Sequence, residues 1–189
     1  MLFRKQNPQR ERFERLAEAA FSSIYGTALR LTRDQEEAHD LSQEALVRAY
    51  EAFDRFDGRN FKAWILRILT NLYINRYRKI QRTGTTASLD VEDSGFEPAA
   101  PAEEIPDRQM LDNLLGSEVE EALQKVPETF RIAVLLSDLE GLSYDEIAEA
   151  TEVPVGTVRS RIARGRAILR RELERFAREQ GYLRQEDLE

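Results

Sequence analysis

Gly141-Leu-Ser-Tyr-Asp-Glu-Ile-Ala-Glu-Ala-Thr-Glu-Val-Pro-Val-Gly-Thr-Val-Arg-Ser-Arg-Ile162 reads as a short helix, a tight turn and a second helix that presents arginines outward. Ser143 followed by Glu146 is a capping box, in which each residue satisfies an orphan backbone N–H at the helix start. Ile147 and Ala148 supply the buried side of the first helix. Pro154 blocks its continuation, and Gly156 lets the next helix begin at close quarters. The pattern is that of a helix-turn-helix reader of DNA.

At about 100° per residue, Val158, Ile162, Gly165, Leu169 and Leu173 share an inward side of the second helix. Arg159, Ser160, Ala163 and Arg164 share the outward side, continued by Arg170, while Arg161 and Arg166 flank the two. Eight arginines lie between Val155 and Arg178, against only Glu172 and Glu174. Guanidinium groups make forked hydrogen bonds to phosphate and to guanine edges, and the small Ser160 and Ala163 let backbone approach a groove.

Outward from this motif, charge is distributed in blocks. The net charge of −7 is unusual for a chain that meets DNA. Yet from Arg59 to Ser88 there is no acid, while Arg59, Lys62, Arg67, Arg76, Arg78, Lys79 and Arg82 supply seven positive charges. Beyond them Asp90, Glu92, Asp93, Glu97, Glu103, Glu104, Asp107 and Asp112 set eight acids against Arg108. Two basic islands flank an acidic strip, which points to nucleic acid at the islands and to a basic partner, or self-masking, at the strip.

The periodicity predicts an all-α chain of two small helical domains joined by a flexible acidic linker. Residues 10–82 form the first domain, 83–108 the linker, and 109–178 the second domain with the helix-turn-helix. Helix one runs from Arg12 to Arg33 on Phe13, Leu16, Ala20, Ile24, Ala28 and Leu31. Helix two starts after Asp34, an N-cap with Glu37 three residues on, and carries on toward Phe56. Asp57-Gly58-Arg59-Asn60 is turn chemistry. Helix three, from Phe61 to about Arg82, packs through Phe61, Trp64, Ile65, Ile68 and Leu72. The Pro- and Ser-containing stretches of 83–108 lack the apolar content to fold alone. A helix through Leu111, Leu114, Leu115, Val119 and Leu123 opens the second domain, Pro127 begins another that runs to Leu139, and Gly181 ends the ordered part.

Some chemistries are excluded. Without cysteine there is no disulfide, thiolate site or cysteine nucleophile. His39, the single histidine, stands beside Asp40 with no ligand cluster, and no Gly-rich phosphate loop is present. No catalytic residue, cofactor or metal is expected. The N-terminus lacks an apolar signal core, and no run of about 18 apolar residues could span a bilayer. The expectation is a soluble cytoplasmic chain without membrane insertion. A dimeric helix-turn-helix repressor is the rival, but the N-terminal half shows no strand–helix alternation for a receiver domain.

Five segments together resemble the bacterial RNA polymerase sigma factors of the extracytoplasmic-function (ECF) type. Asp40-Leu-Ser-Gln-Glu-Ala-Leu-Val-Arg-Ala-Tyr looks like the polymerase-binding helix, and Phe61-Lys-Ala-Trp-Ile-Leu-Arg-Ile-Leu-Thr-Asn like the promoter-melting segment. Leu123-Gln-Lys-Val-Pro-Glu-Thr-Phe-Arg and the two halves of the opening motif resemble the second DNA-binding domain. By that resemblance Asp40, Gln43, Glu44 and Arg48 dock on the clamp helices of the polymerase's largest subunit, and the second domain meets its flap. Phe56, Asn60, Ile68 and Asn71 capture an unstacked base of the −10 element, with Arg76, Arg78, Lys79 and Arg82 on phosphates. Such a base needs an apolar surface to stack on and an amide to read its edge. Pro154, Gly156, Thr157, Arg159, Ser160 and Arg164 meet the −35 element. Ser137 departs from the arginine many relatives carry there, so one −35 base contact is in doubt. The linker either threads toward the polymerase active centre or acts as a tether. The resemblance further implies promoter DNA and core RNA polymerase as partners, an anti-sigma factor as antagonist, and no catalysis.

Overall fold

In a computed structural model of the chain, residues 8–83 and 116–180 are described, with side chains over 8–76 and 118–180. Among them every element is helical, in the order α1 (Pro8–Thr32), α2 (Gln35–Glu51), a 3-10 turn (Phe53–Arg55), α3 (Phe61–Thr83), α4 (Gly116–Lys125), α5 (Glu128–Val134), a π turn (Leu135–Leu139), α6 (Tyr144–Thr151) and α7 (Val155–Glu179). Two compact units result. One gathers α1, α2, α3 and α6; the other gathers α4, α5, the π turn and α7. The expected second domain, 109–178, had included α6. The expected linker at 83–108, apart from Thr83 at the end of α3, the opening of the following helix before residue 116, and Gly181 lie outside the described residues.

The first unit is built by local signals that the sequence carries in plain form. Pro8 opens α1, where its missing N–H costs nothing. Arg33 turns the chain through the left-handed region at φ 62°, and Asp34 Oδ1 then accepts from the Glu37 N–H at 2.9 Å to start α2. Alanines 38, 45 and 49 of α2 are sealed, beside Leu41, and small side chains of this kind let neighbouring helices approach. Ile24, Ala28 and Leu31 of α1 and Ile65, Leu66 and Leu69 of α3 complete that core.

Two expectations need correction here. Helix two does not reach Phe56; α2 stops at Glu51, and residues 53–55 tighten so that the Phe53 ring turns into the core. On α3, Phe61, Ile65 and Leu72 are buried, but Trp64 and Ile68 are only half-buried, and Leu66 and Leu69 are the sealed residues. The reason is that α3 packs against α1, α2 and α6, so its apolar face is wider than a single stripe.

In the second unit Ala122 and Leu123 of α4, Val126 just beyond it, Ile132 to Leu136, and Val158 and Ile162 of α7 form the core. Gly165 is buried where α7 meets α5. The helix expected from Glu128 to Leu139 exists but widens over its last turn, where the Glu140 N–H reaches the Leu135 carbonyl at 3.1 Å. No local sequence signal marks that widening.

The decisive motif folds as its capping chemistry dictates. The Ser143 hydroxyl accepts from the Glu146 N–H at 3.3 Å, and a Glu146 carboxylate oxygen accepts from the Ser143 N–H at 2.8 Å. Ile147 is sealed as expected, but its buried partners on α6 are Ala150 and Thr151, with Ala148 half-buried. Helix α6 ends before Pro154: Glu152 adopts φ 56° and ψ 41° and sends its N–H to the Ala148 carbonyl. Replacing Ser143 with alanine is expected to cost about 0.5–2 kcal/mol of stability, with most of it retained in Ser143→Thr. Urea unfolding midpoints of the two variants check this.

Candidate nucleic-acid interface

Three groups of candidate side chains can be built from these elements. The first lies on α7. Arg159, Ser160 and Ala163 are exposed, with Val158 and Ile162 buried behind them, so the outward face stands as the periodicity predicts. Arg159 makes no hydrogen bond or ion pair among the described residues. Ser160 donates to the Thr157 carbonyl at 2.9 Å, which leaves its lone pairs outward. Gly156 is exposed, and a Cβ built there meets nothing within 4 Å; packing among the described residues does not require a glycine there. Pro154 is exposed just before the helix.

Arg164 and Arg166 differ from that picture. The Arg164 guanidinium carbon sits 5.9 Å from the Phe130 ring centroid, so this half-buried side chain lies on an aromatic face. Arg166 is gripped in a fork, its Nε and Nη2 donating to the two oxygens of Asp138 at 2.9 and 2.6 Å. Asp138, in the π turn, was missed by sequence reasoning; its partner is 28 residues away and periodicity says nothing about it. Such a bidentate pair fixes the azimuth of α7 in its unit.

The second group surrounds the start of α3. Asn60 is the N-cap of that helix: its Oδ1 accepts from the Ala63 N–H at 3.1 Å, while its Nδ2 donates to Glu146 at 2.8 Å. Phe56 belongs to an aromatic cluster, stacked 5.8 Å from Phe53, edge-on to Phe61 at 5.6 Å and 5.1 Å from Trp64. Trp64 shares that cluster. Ile68 and Asn71, three residues apart and thus on one helix face, are both half-buried, and Asn71 makes no hydrogen bond among the described residues. Arg78, Lys79 and Arg82 lie on α3 beyond the described side chains.

The third group is the outer face of α2. Asp40, Gln43 and Arg48 are exposed, and Glu44 is half-buried. Gln43 pairs with His39 at 3.2 Å, and Arg48 Nη2 donates to Glu44 at 2.7 Å. Val47, 58% exposed, sits among these polar groups. It is an apolar side chain at a solvent-facing position of an otherwise polar stripe, a signal available in the sequence and not used.

Structure also joins two groups that the sequence kept apart. Arg76 of α3 donates to the second oxygen of Glu44 on α2. Hydrogen bonding to Arg76 holds the Glu44 carboxyl below its ordinary value, assisted by Arg48 and opposed by burial. A carboxylate with a depressed folded-state value stabilises the fold fully above its ordinary value of 4.5, and that contribution is lost as pH falls through the lowered value. Acid is therefore expected to narrow the stability gap between the wild-type chain and Arg76→Gln. Urea titrations of both at neutral and at acid pH measure it.

The segments that carry these side chains match known families. Residues 16–83 match Sigma-70 region 2 and residues 117–169 match Sigma-70 region 4. The chain is 35% identical over 180 residues to the RNA polymerase sigma-H factor of Pseudomonas aeruginosa, covering 93% of each. It belongs to the extracytoplasmic-function sigma factors. The ECF sigma factor SigE of Mycolicibacterium smegmatis is 39% identical over 148 residues, which are 78% of this chain and 56% of that longer relative. Among solved structures, the Bartonella quintana sigma factor RpoE in complex with the anti-sigma factor NepR superposes with a TM-score of 0.65 at 26% identity, covering 87% of this sigma factor and 98% of that chain. The family consists of transcription initiation factors that bind core RNA polymerase and direct it to promoters. Among the described residues no helix is long and apolar enough to cross a membrane.

Proposed function

We propose that this sigma factor acts without catalysis of its own, in the cytoplasm, as a specificity subunit in which separate surfaces meet separate partners. Residues 10–82 carry the polymerase-docking face of α2 (Asp40, Gln43, Glu44, Arg48, with Val47 as its apolar centre) and the −10 face of α3 (Ile68, Asn71, Arg76, Arg78, Lys79). Residues 109–178 carry the −35 reader, centred on Gly156, Thr157, Arg159 and Ser160, and residues 83–108 are the linker between them. The observation that carries the −35 assignment is the exposed row Gly156, Arg159, Ser160 and Ala163 on a helix whose opposite side is sealed.

Phe56 and Asn60 need a narrower role than a preformed base pocket. The Phe56 ring is packed among three other aromatic rings, and the Asn60 amide is engaged at both ends. Asn71, with donor and acceptor both available, is the better reader of an extruded base. Control by an anti-sigma factor, as in the Bartonella quintana complex, fits a chain whose apolar Val47 is exposed.

Two modules on one start site gain affinity from acting together, with core enzyme setting their spacing. The net charge of −7 works against either module alone. The purified chain is expected to give little retardation of promoter DNA, and the chain with core polymerase to give an open complex and a run-off transcript. Tight, specific binding to duplex promoter without polymerase would overturn the proposal.

A further inference from the structure

We propose that Arg12 of α1 belongs to the −10 interface: it presents the edge of its guanidinium to a backbone phosphate of the strand whose base is read on α3. This rests on the reading of α3 and the loop before it as the −10 face.

Arg12 stands on α1, ahead of the stretch 16–83 that matches region 2, and the fold brings it to the 56–60 loop. Two contacts fix where it lies. Its guanidinium carbon sits 5.8 Å from the centroid of the Phe53 ring. Its Nη2 lies so near Gly58 that a Cβ built there would stand 3.2 Å away. Gly58 turns the loop at φ 85°, a conformation glycine adopts without strain. Phe53 is itself buried, met edge-on by Phe13 at 5.2 Å and stacked with Phe56 at 5.8 Å. Arg12 is thus docked on the same aromatic cluster that holds Phe56.

Docking on a ring occupies the flat face of a guanidinium and leaves its N–H donors, which lie in the plane, for another acceptor. The chain supplies none: Arg12 is exposed and makes no hydrogen bond or ion pair among the described residues. Asp57 of the same loop serves Arg59 instead. Its Oδ1 accepts from the Arg59 N–H at 3.0 Å, and its Oδ2 lies 3.7 Å from Arg59 Nε. A strand passing the loop brings phosphate oxygens, which a guanidinium takes in a fork. Packing on Phe53 has already restricted the side chain, so less rotamer freedom is lost on binding. Such a contact carries no sequence information; it sets the register in which a base meets Asn71.

The test uses holoenzyme assembled from core polymerase and the full chain. Its probe is a labelled single-stranded oligonucleotide carrying the −10 region of a start site that this holoenzyme selects from a promoter library. Arg12→Ala is expected to weaken binding about tenfold for every −10 sequence, and to flatten the log–log salt dependence by about 0.7. Arg12→Lys is expected to keep the slope, because the charge stays. A neutral methylphosphonate, moved along the strand, is expected to erase the difference between wild type and Arg12→Ala at one position. Unchanged affinity and slope in Arg12→Ala overturn the contact, as does a difference that no methylphosphonate erases. A changed base preference with the slope intact also overturns it, since Arg12 then only braces the loop. Asn71→Ala in the same assay is expected to lose base preference and keep the slope. An inert Arg12→Ala beside a defective Asn71→Ala refutes the Arg12 contact alone; two inert variants refute the −10 reading as well.

Discussion

Gly165→Ala is expected to lower stability by about 1–3 kcal/mol, the usual cost of forcing an extra methyl into a packed core. The sign is not obvious in advance, because alanine in a helix interior is favoured over glycine by about 1 kcal/mol. Space decides it. A Cβ at position 165 lies 2.5 Å from Val134 Cγ2 and 3.1 Å from the Phe130 carbonyl oxygen. Neither neighbour can yield cheaply: Val134 is fully buried and β-branched, hence stiff at χ1, and the carbonyl is backbone. The cost is a large share of the 5–15 kcal/mol that holds a typical domain. Urea unfolding measures it, and Val134→Ala in the same chain should recover part of the loss. If Gly165→Ala proves as stable as the wild type, α5 and α7 do not meet as closely as described.

Arg159→Ala is expected to remove about 1–3 kcal/mol of promoter recognition, the worth of a base or phosphate contact. Run-off transcription with core polymerase, compared across −35 variants, measures it. Arg159 is the cleaner probe because it has no partner within the described chain. Arg164→Ala is expected to weaken initiation over the same range, but its guanidinium also covers the Phe130 ring. That variant should therefore lose folding stability too, while Arg159→Ala should not. Arg159→Lys separates the two kinds of contact: a phosphate contact survives the change, and a bidentate base contact does not. Unchanged transcription in both alanine variants would refute the assignment of the −35 face.

Much of the architecture was legible in the chain because it is written in local chemistry. The cap at Asp34 needs only the Glu37 N–H three residues on, and the capping box at Ser143 needs only Glu146. Periodicity alone placed Val158, Ile162 and Gly165 inward and Arg159 and Ser160 outward. It was less reliable on α3, where packing on several sides sealed Leu66 and Leu69 in place of Trp64 and Ile68. Pro154 bars α6 from continuing, but the chain leaves the helix before it, at Glu152, a non-glycine residue in the left-handed conformation.

By itself, then, the sequence determined the helices, their caps, the basic and acidic blocks, and the family to which they belong. All of these depend on neighbours a few residues apart, or on composition. Tertiary structure alone decided which polar side chains are engaged at long range. Arg166 is bound to Asp138 across 28 positions, Arg76 to Glu44 across 32, Arg67 to Glu149 across 82 and Asn60 to Glu146 across 86. An ion pair forms wherever folding brings opposite charges within a few ångströms, and apolar packing, not the charges, determines which helices lie side by side.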